Sequence, residues 1–167
     1  MELIKEVAAV VAVGVGATAL MDGWSVLLKK VGVPTLDYAW VGRWVGHLPR
    51  GVLCHPRIVD AMPISGEMAL GWGIHYAVGI LVAAVLVMVQ GAAWVHAPTL
   101  LPALWIGVGT VVLPLGLMQP CMGAGFAASR TATPVKNCLR SVLAHAIFGI
   151  GLYTSAVLLA WAMEGVA

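Results

Sequence analysis

Two histidines sit in near-identical surroundings within otherwise apolar stretches. One lies in His75-Tyr76-Ala77-Val78-Gly79-Ile80, the other in His145-Ala146-Ile147-Phe148-Gly149-Ile150. Asp22, Glu67 and Gln119 also lie in or beside long apolar runs. Ionisable groups are costly inside a membrane helix and mark functional sites by default. Neutral imidazoles facing one another could hold a b-type haem as two axial ligands. In that arrangement Gly71, Gly79 and Gly149, each four residues from a histidine, leave flat space for a porphyrin. Arg130 and Arg140 would then pair with its propionates. A metal reading uses His75, His145 and Asp22 with Met118 and Met122, or Cys121, as soft donors that suit copper. A third reading has Asp22 and the histidines line a proton-coupled path for a small solute. A fourth has them hold helices together with no cofactor, in a structural accessory subunit of a larger complex. No reaction type follows from these residues.

These groups need elements to carry them, and composition says what those elements are. The 167 residues are 61% hydrophobic and 10% charged, against about 25% charged residues in ordinary soluble domains. Such a chain cannot cover a water-exposed surface. A soluble enzyme, a disordered tail and a nucleic-acid module are excluded together. The partner that remains is the lipid bilayer, with a homo-oligomer or a larger membrane complex as further assembly.

Four apolar stretches, about residues 7–28, 68–89, 100–118 and 141–163, each have the length of a bilayer-crossing helix. Ala17-Thr18-Ala19 resembles a signal-peptide cleavage site, but Glu2 and Glu6 offset Lys5. The first stretch therefore reads as a membrane helix. The expectation is an all-α membrane protein: a single four-helix transmembrane domain, residues 1–167, in an up-down bundle. The loops between helices 1 and 2 and between helices 3 and 4 hold eight of the nine cationic residues. Positive loops stay cytoplasmic. Both termini and the Gln90–Thr99 turn then face the periplasm across a bacterial inner membrane.

Leu36, Trp40, Trp44 and Leu48 recur at spacing four within the first loop. The pattern predicts a short interfacial helix with its tryptophans at headgroup depth. His47, His55 and His96 read as solvent-exposed loop residues. Cys54, Cys121 and Cys138, an odd number on the cytoplasmic side, read as reduced and inert thiols. An internal match adds a parallel hairpin repeat. Gly14-Val15-Gly16 pairs with Gly107-Val108-Gly109, and Leu20-Met21-Asp22 with Leu117-Met118-Gln119. The second hairpin carries four extra residues, about one helical turn, where Pro114 falls. A pseudo-two-fold axis along the membrane normal would then set His75 opposite His145.

Several runs also resemble a known family: Gly16-Ala17-Thr18 with Met21-Asp22, Leu48-Pro49-Arg50-Gly51, His75-Tyr76, and Ala128-Ser129-Arg130-Thr131. Most specific is Met118-Gln119-Pro120 with Met122-Gly123-Ala124-Gly125. Over nearly its whole length the chain resembles domain-of-unknown-function family 2938, small bacterial inner-membrane proteins. The resemblance implies a four-helix membrane protein and carries no activity with it.

Overall fold

The computed structural model describes residues 2–164. Among them there is helix and no strand. Four segments, Leu3–Lys30, Glu67–Gln90, Leu100–Cys121 and Pro134–Met163, are long and apolar enough to cross a membrane. The elements in chain order are α1 (Glu2–Lys30), α2 (Tyr38–His47), α3 (Glu67–Gln90), α4 (Leu100–Gly109), α5 (Gln119–Cys121) and α6 (Pro134–Glu164). Short 3-10 turns lie between them.

The helices run further than apolarity alone indicates. α6 begins at Pro134, seven residues before the apolar stretch. Proline suits a helix's first turn because its missing N–H would find no intrahelical partner there. The polar residues Lys136, Asn137 and Arg140 thus occupy helix, not loop. The third span is not one regular helix. α4 ends at Gly109, Pro114–Met118 form a π-helical turn, and α5 follows. Proline removes a backbone donor and crowds the preceding turn, so the four surplus residues of the repeat coincide with this break.

Contacts within the chain gather in two compact units. The first comprises residues up to Val33, Tyr76–Thr110, and Leu143 onward. Its core is Val13, Ala17, Val82, Ala83, Leu86, Trp94, Val95, Ala103, Phe148, Leu152 and Ala156, all buried. Small residues let the helix backbones touch. A side chain at Gly14 would strike the Ile80 backbone, and one at Gly107 would strike Gly149. Gly79 likewise faces Thr18 and the Gly14 carbonyl. The internal match equates Gly14 with Gly107 and Gly79 with Gly149, but Gly79 meets Gly14 and Thr18, whereas Gly149 meets Ala103 and Leu104, about one turn before Gly107.

The second unit comprises Pro34–His75 and Val111–Val142. Here α2 lies backbone to backbone on the start of α3. Gly42 abuts the Glu67 carbonyl, and Gly71 abuts the Tyr38 carbonyl. Asp37 caps α2 by accepting a hydrogen bond of 2.9 Å from the Ala39 N–H, a favoured N-cap role for this residue. The helix expected from the tryptophan spacing is present. Its inward face, however, is Val41, Gly42, Arg43 and His47, while Trp40 and Trp44 are half-buried. Glycine decides the face, because only there can two backbones meet.

Candidate functional site

Three titratable groups inside the spans, Asp22, His75 and His145, each meet a hydroxyl. In the first unit, the Tyr76 hydroxyl donates to Asp22 Oδ2 at 3.0 Å. His145 Nδ1 and Thr110 Oγ1 lie 2.8 Å apart, and the Thr110 hydroxyl donates to the Gly107 carbonyl at 2.6 Å. A threonine hydroxyl has one hydrogen. With that hydrogen on Gly107, His145 Nδ1 must be the donor, and the basic lone pair of the neutral ring lies on Nε2. Thr110 stands at the end of α4, directly before the irregular stretch of the third span. Within this unit the contacts of Gly14 with Ile80, Gly79 with Thr18, Gly151 with Ala17 and Gly107 with Gly149 set α3 and α6 antiparallel to α1, and α4 antiparallel to α6. Asp22, Tyr76, Thr110 and His145 therefore fall toward the C-terminal end of α1.

In the second unit, His75 Nε2 and the Tyr38 hydroxyl are 2.8 Å apart. The two ring centroids are separated by 4.4 Å, and Trp72 stands 4.4 Å from Tyr38 and 6.0 Å from His75. Glu67 forms a two-pronged ion pair with Arg43, with Nε–Oε2 at 2.9 Å and Nη2–Oε1 at 2.7 Å. Arg43 Nη1 also donates to the Ala61 carbonyl at 3.1 Å, with weaker approaches to Ile58 and Val59. Glu67 raises the Arg43 pKa further through this hydrogen bond, against the effect of burial. One guanidinium thus ties α2, the start of α3 and the Ile58–Ala61 turn together. Fork-on-fork geometry makes such a pair stronger than a point contact.

The glycines expected to open flat space beside the histidines do something else. Gly71, Gly79 and Gly149 each face backbone of a neighbouring helix. His75 also presents to Tyr38 the same Nε2 that an axial ligand of this kind would offer. These surroundings do not fit a porphyrin bound as drawn from the sequence. Arg130 is exposed and Arg140 half-buried. Among the described residues, no group of three or more His, Cys, Asp or Glu side chains gathers to hold a metal ion. Of the soft donors, Met122 is buried and Met118 half-buried. Gln119 has a buried Oε1 with no hydrogen-bond partner.

Two loop histidines depart from expectation. His47 and His55 are 7% and 8% exposed, stack at 5.0 Å, and bond Nδ1 to Nε2 at 2.7 Å. His96 is exposed, as its loop position predicts. Burial, and then the neighbouring His47, lower the His55 pKa below its ordinary value. Spacing eight along a turn-rich loop carries no signal for this pairing. Tyr38, Thr110 and Arg43 escaped the sequence reading for a related reason. A hydroxyl or a loop cation becomes notable only once its partner is placed.

The fold and these intramembrane pairs define a multi-pass membrane protein with four apolar spans. No curated protein and no solved structure matches the chain. Residues 11–159 match the model of the family described as proteins of unknown function, DUF2938. The chain belongs to that family.

Proposed function

We propose that this protein is a proton-coupled transporter of a small solute in a bacterial inner membrane, with both termini on the periplasmic side. One observation carries the reading: His145 bonds to Thr110 where the third span ceases to be a regular helix. Interrupted spans in repeat-built membrane proteins typically supply substrate and ion sites, because their unwound backbone offers polar groups at membrane depth. Thr110 fixes the ring so that Nε2 takes up and releases the proton. Asp22, held by Tyr76, supplies a second proton site, a carboxylate, in the same unit. The parallel hairpin match supports the reading, since repeated halves are a common transporter plan.

The test uses purified protein in liposomes loaded with a pH-sensitive dye, under an imposed pH gradient. A panel of amino acids, organic acids, amines and sugars is added in turn. At least one solute should accelerate proton entry, and His145→Gln should abolish that acceleration. A Soret band in the purified protein would overturn the reading in favour of a haem protein. Absence of solute-coupled proton movement across the panel would favour an accessory subunit. A C-terminal reporter fusion active in the cytoplasm would reverse the proposed orientation.

A further inference from the structure

Cys54 and Cys121 come from segments 67 residues apart, yet their sulfurs stand 2.9 Å from each other. The approach is built by the backbone around them. The His55 N–H donates to the Cys121 carbonyl at 2.7 Å, and the Ile58 N–H donates to the Met122 carbonyl at 3.0 Å. Gly123, at φ +92°, presses against the Pro56 carbonyl, where any side chain would collide. Two chain segments are thus held in register with one thiol on each. Cys54 is exposed, while Cys121, at the end of the third span, is partly covered.

We propose that this pair is a thiol–disulfide exchange site, taking small or protein disulfides as its substrate class. The sulfur spacing separates this from metal binding. Metal–sulfur bonds of about 2.3 Å hold two thiolates roughly 3.8 Å apart around a tetrahedral ion. The observed approach is closer than that, and closure to a disulfide of about 2.05 Å asks for less than about 1 Å of movement. Among the described residues there is also no third His, Cys, Asp or Glu gathered to complete a metal site.

Exposure assigns the order of events. The Cys54 thiolate attacks one sulfur of an incoming disulfide, forming a mixed disulfide and expelling one thiolate. Cys121 then attacks the Cys54 sulfur, closing the Cys54–Cys121 bond and expelling the second thiolate. The two electrons leave with the substrate, now two thiols, which also carry the two protons lost by the cysteines. The reverse sequence reduces the pair. The cross-link joins the first loop to the end of the third span, beside the π-helical turn.

The test exposes the reduced full-length protein in detergent to graded mixtures of reduced and oxidised glutathione. Remaining thiols are then alkylated, and the peptides are mapped by mass spectrometry. The wild type should form the Cys54–Cys121 cross-link while Cys138 stays alkylated. In Cys121→Ser, a glutathione adduct should accumulate on Cys54 to about ten times the wild-type level, because no second thiol resolves it. Cys121→Ala should behave the same way, so a folding defect peculiar to serine does not decide the result. In Cys54→Ser, Cys121 should remain alkylated. The proposal fails if both wild-type thiols stay alkylated throughout. It fails equally if the wild type carries as much adduct on Cys54 as Cys121→Ser and Cys121→Ala do.

Discussion

His145 donates a hydrogen bond through Nδ1 to Thr110, whose own proton is committed to the Gly107 carbonyl. The hydroxyl therefore selects the tautomer of a histidine inside a membrane span. Thr110→Val keeps the shape but removes the acceptor, leaving a half-buried Nδ1–H without this partner. A lost hydrogen bond of this kind costs about 1–3 kcal/mol. Thermal melting in detergent should show Thr110→Val destabilised and Thr110→Ser close to wild type. Equal melting of the two variants would remove the hydroxyl from this role.

Arg43 and Glu67 are 11% and 17% exposed at their side chains and satisfy each other. Truncating either strands a charge, which in buried pairs costs about 3–5 kcal/mol. Arg43→Ala and Glu67→Ala should each lower the melting temperature strongly. Replacing both by methionine should recover much of the loss, because no lone charge remains. A double variant as unstable as either single one would show that the carbonyl contacts of Arg43, not the ion pair, hold the loop.

His55 gives the second unit a pH dependence with a definite sign. Its folded pKa lies below the ordinary 6.5, chiefly through burial. The unfolded chain therefore binds a proton more readily than the folded one. This contribution is fully present above about pH 6.5 and is lost as pH falls through the folded pKa. Melting temperature should drop between pH 7.5 and pH 5, and His55→Phe should flatten that drop. An unchanged slope in the variant would assign the acid sensitivity to other groups.

The helix contacts at glycine discriminate sharply between neighbouring positions. A Cβ at Gly14 would sit 2.6 Å from Ile80 Cα and 2.9 Å from its nitrogen, whereas Gly73 has open space around it. Gly14→Ala should destabilise, since two backbones must separate. Gly73→Ala should stabilise by about 0.5–1 kcal/mol, because alanine loses less freedom than glycine on entering a helix. Comparing the two melts checks both signs at once.

The spans were legible from residue order because lipid offers no partner to a backbone polar group. Any segment of sufficient apolar length must close its hydrogen bonds within itself as a helix. The α2 helix was visible in tryptophan spacing for the related reason that an amphipathic period survives in the string. Its packed face was not. Gly42 and Gly71 gain meaning only from each other, and either alone reads as one more glycine in a chain of twenty. The same holds for the polar groups. Asp22, His75 and His145 stood out by their cost in apolar surroundings, but Tyr76, Tyr38 and Thr110 became their partners only through tertiary contacts. Burial of His47 against His55, and the meeting of Cys54 with Cys121, depend on the first loop folding back onto helix ends. Local period and apolar length determine the elements. Pairings between distant side chains depend on backbone approach, which folding alone decides.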